Sequence, residues 1–135
     1  MTRRASLFVV LLVVAVATAA CGGGVDTQHS LVTATEANDL VQDPPDDLVI
    51  LDIRTPEEFE QGRIEGSVMI DFYATDFESQ LDDLDKSIPY FVYCRSGNRS
   101  ATAAEMMTDL GFEVIYELDG GIVAWAEAGL PYVSS

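Results

Sequence analysis

The segment Leu48-Val49-Ile50-Leu51-Asp52-Ile53-Arg54-Thr55-Pro56-Glu57-Glu58-Phe59-Glu60-Gln61-Gly62 decides the fold class. Its first four residues are all apolar, the pattern of a strand covered on both faces. Thr55 then stands at an N-cap, Pro56 at the first helical position, Glu58 three residues after the cap and Gly62 just past the end. A short helix therefore has both its start and its stop written in. A buried strand running into a capped helix is half of a βα unit, and such units build parallel sheets.

The same rhythm continues on either side. Upstream, Asp43-Pro44-Pro45-Asp46-Asp47 must turn, because two prolines cannot extend a helix. Before that turn, residues 35–41 predict a short helix with Thr35 at its N-cap. Downstream, apolar runs predict strands over 67–70, 90–93 and 114–118. Between and after them, helices are expected over 77–84, over 100–110 closed by Gly111, and over 122–128 ended by Gly129 and Pro131. The alternation predicts an α/β domain: a mainly parallel sheet with helices on both faces, in three layers.

Composition narrows the function classes. The 135 residues suit one domain, and 48% hydrophobic residues can build its core. Asp and Glu number 23 against 7 Lys and Arg, a net charge of −16 that repels phosphate backbones, so no nucleic-acid partner is expected. Two cysteines and one histidine make neither a disulfide scaffold nor a four-ligand zinc site. No metal and no organic cofactor is expected. Trp125, Met106 and Met107 read as packing residues, and Gly120-Gly121, next to Asp119, as a close-packed turn rather than an anion loop.

The N-terminus reads as an address. Met1-Thr2-Arg3-Arg4 is a basic start, 5–17 is apolar, and Thr18-Ala19-Ala20 is the small-residue run before a cut, so 1–20 has the layout of a secretory signal. Cys21-Gly22-Gly23-Gly24 follows and resembles the lipobox of bacterial lipoproteins, although Thr18 stands where that family prefers Leu. The resemblance implies that Cys21 is acylated and anchors the chain to a membrane. An uncleaved anchor and plain secretion are the alternatives, and all three place the domain outside the cytoplasm. Loss of Arg3 and Arg4 leaves five cations against 23 acids, a net charge of −18. Residues 21–30 read as lipidated N-terminus and polar tether, with His29 an exposed linker residue, and 31–133 as the domain. The expected state is a monomer.

The candidate chemistry lies in Tyr93-Cys94-Arg95-Ser96-Gly97-Asn98-Arg99-Ser100. A thiol stands at a strand end, where ligands bind in parallel sheets, and is followed by five residues and then a helix. The helix start offers unpaired N–H groups and partial positive charge. Gly97 and Asn98 tolerate the left-handed torsions that turn successive amides inward as an anion nest. Arg95 and Arg99 place two cations beside one thiol. Such surroundings lower a thiol pKa and make Cys94 a thiolate nucleophile.

The 51–59 segment, the Cys-Arg-Ser-Gly-Asn-Arg-Ser loop at 94–100 and Leu118-Asp119-Gly120-Gly121-Ile122-Val123-Ala124-Trp125 together resemble a single-domain rhodanese (thiosulfate sulfurtransferase). The likeness covers 31–133 and implies the rhodanese-like three-layer fold. It implies that Cys94 carries sulfane sulfur as a persulfide. The backbone of Arg95, Ser96, Gly97, Asn98 and Arg99 would cradle that sulfur, and Asp52 and Arg54 would buttress the site. Where the family has Gly-His-Ile-Pro-Gly-Ala, this chain has Gly62-Arg63-Ile64-Glu65-Gly66-Ser67.

The expected activity is sulfur transfer. Cys94 attacks the outer sulfur of a small anionic donor such as thiosulfate, Arg95 and Arg99 ease the departing sulfite, and cyanide or a thiol accepts the sulfur. Two other readings stand beside it. One is a non-catalytic persulfide relay or binding module at the membrane surface. The other is a phosphatase or arsenate reductase on the same fold, which needs Arg six positions after the cysteine, where this chain has Ser100. Glu58 reads as a capping-box member rather than a general acid.

Overall fold

The computed structural model describes residues 24–135. The signal segment and Cys21 lie outside the described residues. Among the described residues no helix is long and apolar enough to cross a membrane.

Among the described residues five strands and five helices alternate: β1 (Gln28–Val32), α1 (Ala34–Gln42), β2 (Val49–Asp52), α2 (Pro56–Gln61), β3 (Val68–Met69), α3 (Phe77–Asp82), β4 (Pro89–Tyr93), α4 (Asn98–Asp109), β5 (Val114–Leu118) and α5 (Gly121–Glu127). All the strand pairs are parallel, in the order β1-β5-β4-β2-β3. This is the expected three-layer α/β architecture. β4, the central strand, splits its side chains between two cores. Tyr90 and Val92 meet Phe77 and Leu81 of α3 and Ala103, Ala104 and Met107 of α4. Phe91 and Tyr93 meet Ala34 and Ala37 of α1 and Trp125 of α5. A strand apolar at every position is what a sheet covered on both faces requires.

The elements differ from the sequence reading in three places. The first helix is capped by Thr33, not Thr35: the Thr33 hydroxyl accepts from the Glu36 amide, and the Glu36 carboxylate accepts from the Thr33 amide. Only Thr33 has a glutamate three residues on, so the reciprocal cap forms there. Second, the sheet begins at Gln28, so Gln28, His29 and Ser30 are strand rather than tether. β1 is an edge strand paired only with β5, and its exposure lets it be polar. Third, α4 starts at Asn98, so the loop after Cys94 is three residues long and Asn98 and Arg99 belong to the first helical turn.

α2 keeps its expected capping box between Thr55 and Glu58, with Pro56 at its first position. Gly62 after it is extended, and a Cβ there would lie 2.8 Å from the Tyr132 ring, so glycine makes room for the C-terminal strap. Arg63, in place of the family histidine, holds that strap: its backbone bridges Val133 and its guanidinium reaches the Ser135 hydroxyl at 2.8 Å.

Candidate functional site

Cys94 leaves the carboxyl end of β4 and is 1% exposed. Its side chain joins the apolar core beside Val92 and Ala103, yet the sulfur keeps polar neighbours. The Gly97 amide donates to Sγ at 3.1 Å and the Ser100 amide at 3.4 Å, while the Ser100 hydroxyl lies 3.6 Å away. Gly97 makes this possible with φ of 102°, a left-handed torsion that costs glycine nothing. Burial pushes the thiol pKa up. The Ser100 hydroxyl and the amides of Ser100, Gly97 and Ser96 outweigh it, and the thiol is held below its ordinary 9.0.

The loop is fixed from behind by α5. The Ile122 amide donates to the Cys94 carbonyl at 2.9 Å and the Val123 amide to the Arg95 carbonyl at 3.2 Å. Gly120-Gly121 is thus the close-packed turn expected, and it anchors the cysteine loop.

The predicted site residues fall around this point. Arg95, Ser96 and Asn98 are exposed, and Gly97 and Arg99 are half-buried. Asp52 and Arg54 form a buried ion pair: Arg54 Nη2 donates to Asp52 Oδ2 at 2.6 Å and to the Gly62 carbonyl at 2.6 Å. That pair ties the end of β2 to the end of α2. A cleft of about 210 Å³ adjoins the loop, bounded by Arg54, Glu58, Arg95, Val123 and Tyr132, with Arg95 its exposed cation. Cys94 itself does not line it.

Arg99 departs from expectation. Its Nη1 and Nη2 each donate to the Glu58 carboxylate at 2.8 Å, so the guanidinium is held in a two-pronged ion pair rather than free for a leaving group. Glu58 has drawn it there from the capping box, and the Arg99 hydrogen bonds hold its carboxyl down at about 2. Glu58 is thus a carboxylate, as expected, and not a general acid. The charge of Arg99 still reaches the sulfur, since a Cys94 thiolate stabilises the guanidinium.

Three residues escaped the sequence reading. Ser100 Oγ accepts from the Cys94 thiol at 3.6 Å and donates to the Gly97 carbonyl at 3.0 Å. Behind it, Glu117 of β5 is buried with Oε1 3.3 Å from the Ser100 hydroxyl, and His29 Nε2 lies 2.9 Å from Glu117 Oε2. A glutamate inside an apolar strand was the available signal, since such a group needs a partner. Among the described residues no cluster of His, Cys, Asp and Glu could hold a metal ion.

A cysteine sulfur held by the Gly97 and Ser100 amides, at the end of the central strand of a five-stranded parallel sheet, defines a cysteine-centred α/β domain. The model of the rhodanese-like domain family matches residues 33–128, and the chain belongs to that family. A sulfurtransferase of Allochromatium vinosum is 35% identical over 89 residues, covering 66% of this chain and 81% of that protein. The tRNA uridine(34) hydroxylase of Corynebacterium urealyticum is 38% identical over 97 residues, and the chain spans only 33% of its length. Among solved structures, a rhodanese-related protein from Thermoplasma volcanium superposes with a TM-score of 0.68 at 29% identity, covering 78% of this chain and 99% of that one. A Rhodopseudomonas palustris protein described as a possible tyrosine phosphatase gives 0.64 at 31%, covering 77% and 84%.

Proposed function

We propose that the protein is a thiosulfate-type sulfurtransferase. The observation that carries this is the cradle around Cys94 Sγ, with the Gly97 amide at 3.1 Å and the Ser100 amide at 3.4 Å. The Cys94 thiolate attacks the outer sulfur of an anionic donor drawn in by Arg95. The S–S bond to sulfite breaks, sulfite leaves with the electron pair, and Cys94 keeps a persulfide whose charge the loop amides hold. Cyanide or an external thiol then takes the terminal sulfur and regenerates the thiolate. Cys94 is the free cysteine of the described residues, which fits discharge to a separate molecule.

The same proposal keeps the domain outside the cytoplasm as a monomer, anchored through acylated Cys21; the basic start, apolar run and small residues of 1–20 support this. Hydrolysis of phosphate esters is disfavoured, because Arg99 is tied to Glu58 and Ser100 stands six positions after the cysteine. The likeness to tRNA hydroxylases is not read as tRNA chemistry, given the −16 charge.

The test is turnover of thiosulfate and cyanide by the full chain and by Cys94→Ser, with the intact mass read after thiosulfate alone. Turnover that vanishes in a folded Cys94→Ser supports the reading, and unchanged turnover removes it. A gain of one sulfur atom on Cys94 without cyanide turnover favours the persulfide relay.

A further inference from the structure

Glu117 is 5% exposed and projects from β5 on the same face as the core residue Ile115. A carboxylate in such a place costs several kcal/mol unless it is paired. Its two oxygens each have one partner from another element. Oε1 lies 3.3 Å from Ser100 Oγ of α4, and Oε2 lies 2.9 Å from His29 Nε2 of β1. Ser100 Oγ in turn accepts from Cys94 Sγ at 3.6 Å, and its own hydroxyl proton is shared between Glu117 Oε1 and the Gly97 carbonyl, 3.0 Å away. Four side chains thus run without a break from the buried sulfur to an imidazole whose side chain is 35% exposed at the edge of the sheet. An apolar residue would pack this face without the cost, so the polar chain asks for a use.

We propose that Ser100, Glu117 and His29 carry the Cys94 proton to solvent. The inference rests on the sulfur-transfer reading in one respect: the buried thiol must lose its proton before it can attack a donor. None of Ser100, Glu117 and His29 lines the cleft beside Arg95. In the step, the thiol proton passes to Ser100 Oγ as the Ser100 proton moves to Glu117 Oε1. For the step to balance, the pair must hold one proton between Glu117 Oε2 and His29 Nε2 and a second on Nδ1; the first then moves onto Nε2 and the second passes to water. One proton leaves sulfur and one enters water, and Cys94 is left as thiolate. Ser100 can serve because its hydroxyl both donates and accepts, and histidine because it exchanges protons readily near neutral pH.

The experiment is stopped-flow reaction of the full chain with excess methyl methanethiosulfonate, run well below the thiol's measured midpoint, where Cys94 carries its proton. The thiolate displaces methanesulfinate, and at high reagent the rate levels off at the speed of proton departure. His29→Ala and Glu117→Gln are each expected to lower that plateau by about tenfold, a modest loss for a proton-transfer group. Added imidazole should restore His29→Ala, whose missing group is at the surface, and leave Glu117→Gln slow. His29→Gln, which keeps a hydrogen bond to Glu117 but cannot pass a proton, should be slow as well. Wild-type plateaus in folded His29→Gln and Glu117→Gln overturn the proposal, as does a His29→Ala rate that imidazole does not raise. The reagent needs no sulfane donor. A protein that shows this pattern yet takes no sulfur from thiosulfate therefore loses the functional reading and keeps the proton route.

Discussion

Gly121 and Arg95 touch backbone to backbone: a Cβ on Gly121 would lie 2.5 Å from the Arg95 carbonyl carbon and oxygen. Gly121 also has φ of 61°, in the left-handed region. A side chain here must displace main chain, not a flexible tip, and the main chain displaced is the loop that holds Cys94. Gly121→Ala is expected to cost about 2–4 kcal/mol from strain and clash together. Urea unfolding reads that loss. Slower alkylation of Cys94 in the variant that still folds reads the disturbed loop, whereas wild-type alkylation would separate the turn from the site.

The Asp52–Arg54 pair is buried on both sides, with Arg54 also bonded to the Gly62 carbonyl. Removing one partner of such a pair strands the other charge in low dielectric. Asp52→Ala should therefore destabilise the fold by about 3–5 kcal/mol. Chemical unfolding of the variant checks this, and a loss below about 1 kcal/mol, the range of exposed pairs, would show the pair to be solvated.

Glu58 links acid stability to the site. Its carboxyl is held at about 2 by Arg99, below the ordinary 4.5. A carboxyl whose folded value is depressed stabilises the fold fully above its unfolded value and loses that contribution as pH falls toward the folded one. The window is therefore pH 4.5 down to about 2. Both partners are partly exposed, so the effect is under about 1 kcal/mol. The stability difference between wild type and Glu58→Gln should shrink across this window. A constant difference would show that Arg99 does not set the Glu58 proton.

Much of this was legible in the sequence because local rules and tertiary demands agree. The 48–62 segment carries an apolar run and a full set of caps, and both β2 and α2 form where they point. Cys94, Gly97 and the 118–125 turn could be placed from motif order alone. What was not legible depends on partners distant in the chain. β1 is short, polar and at an edge, and only its pairing with β5, more than 80 residues away, makes it a strand. The Arg99–Glu58 pair spans 41 residues and the His29–Glu117 pair 88. Charge near a thiol can be read from spacing; whether a carboxylate elsewhere has already claimed that charge cannot.

Ser100 supplies the largest of the contacts that lower the Cys94 thiol, against burial, which raises it. Both its amide and its hydroxyl face the sulfur, and only the hydroxyl is removed by Ser100→Ala. The alanine variant keeps the loop amides and the helix start, so the thiol midpoint should move up toward its ordinary 9.0. At neutral pH the variant then holds less thiolate, and both alkylation and sulfur transfer slow together. Raising the pH restores thiolate in either protein, so the deficit should narrow as the solution becomes alkaline. The alkylation rate followed from pH 5 to 10 checks this: a midpoint displaced upward with an unchanged upper plateau is the expected outcome. A deficit equal at all pH values would mean that the hydroxyl shapes the loop without bearing on the proton of Cys94.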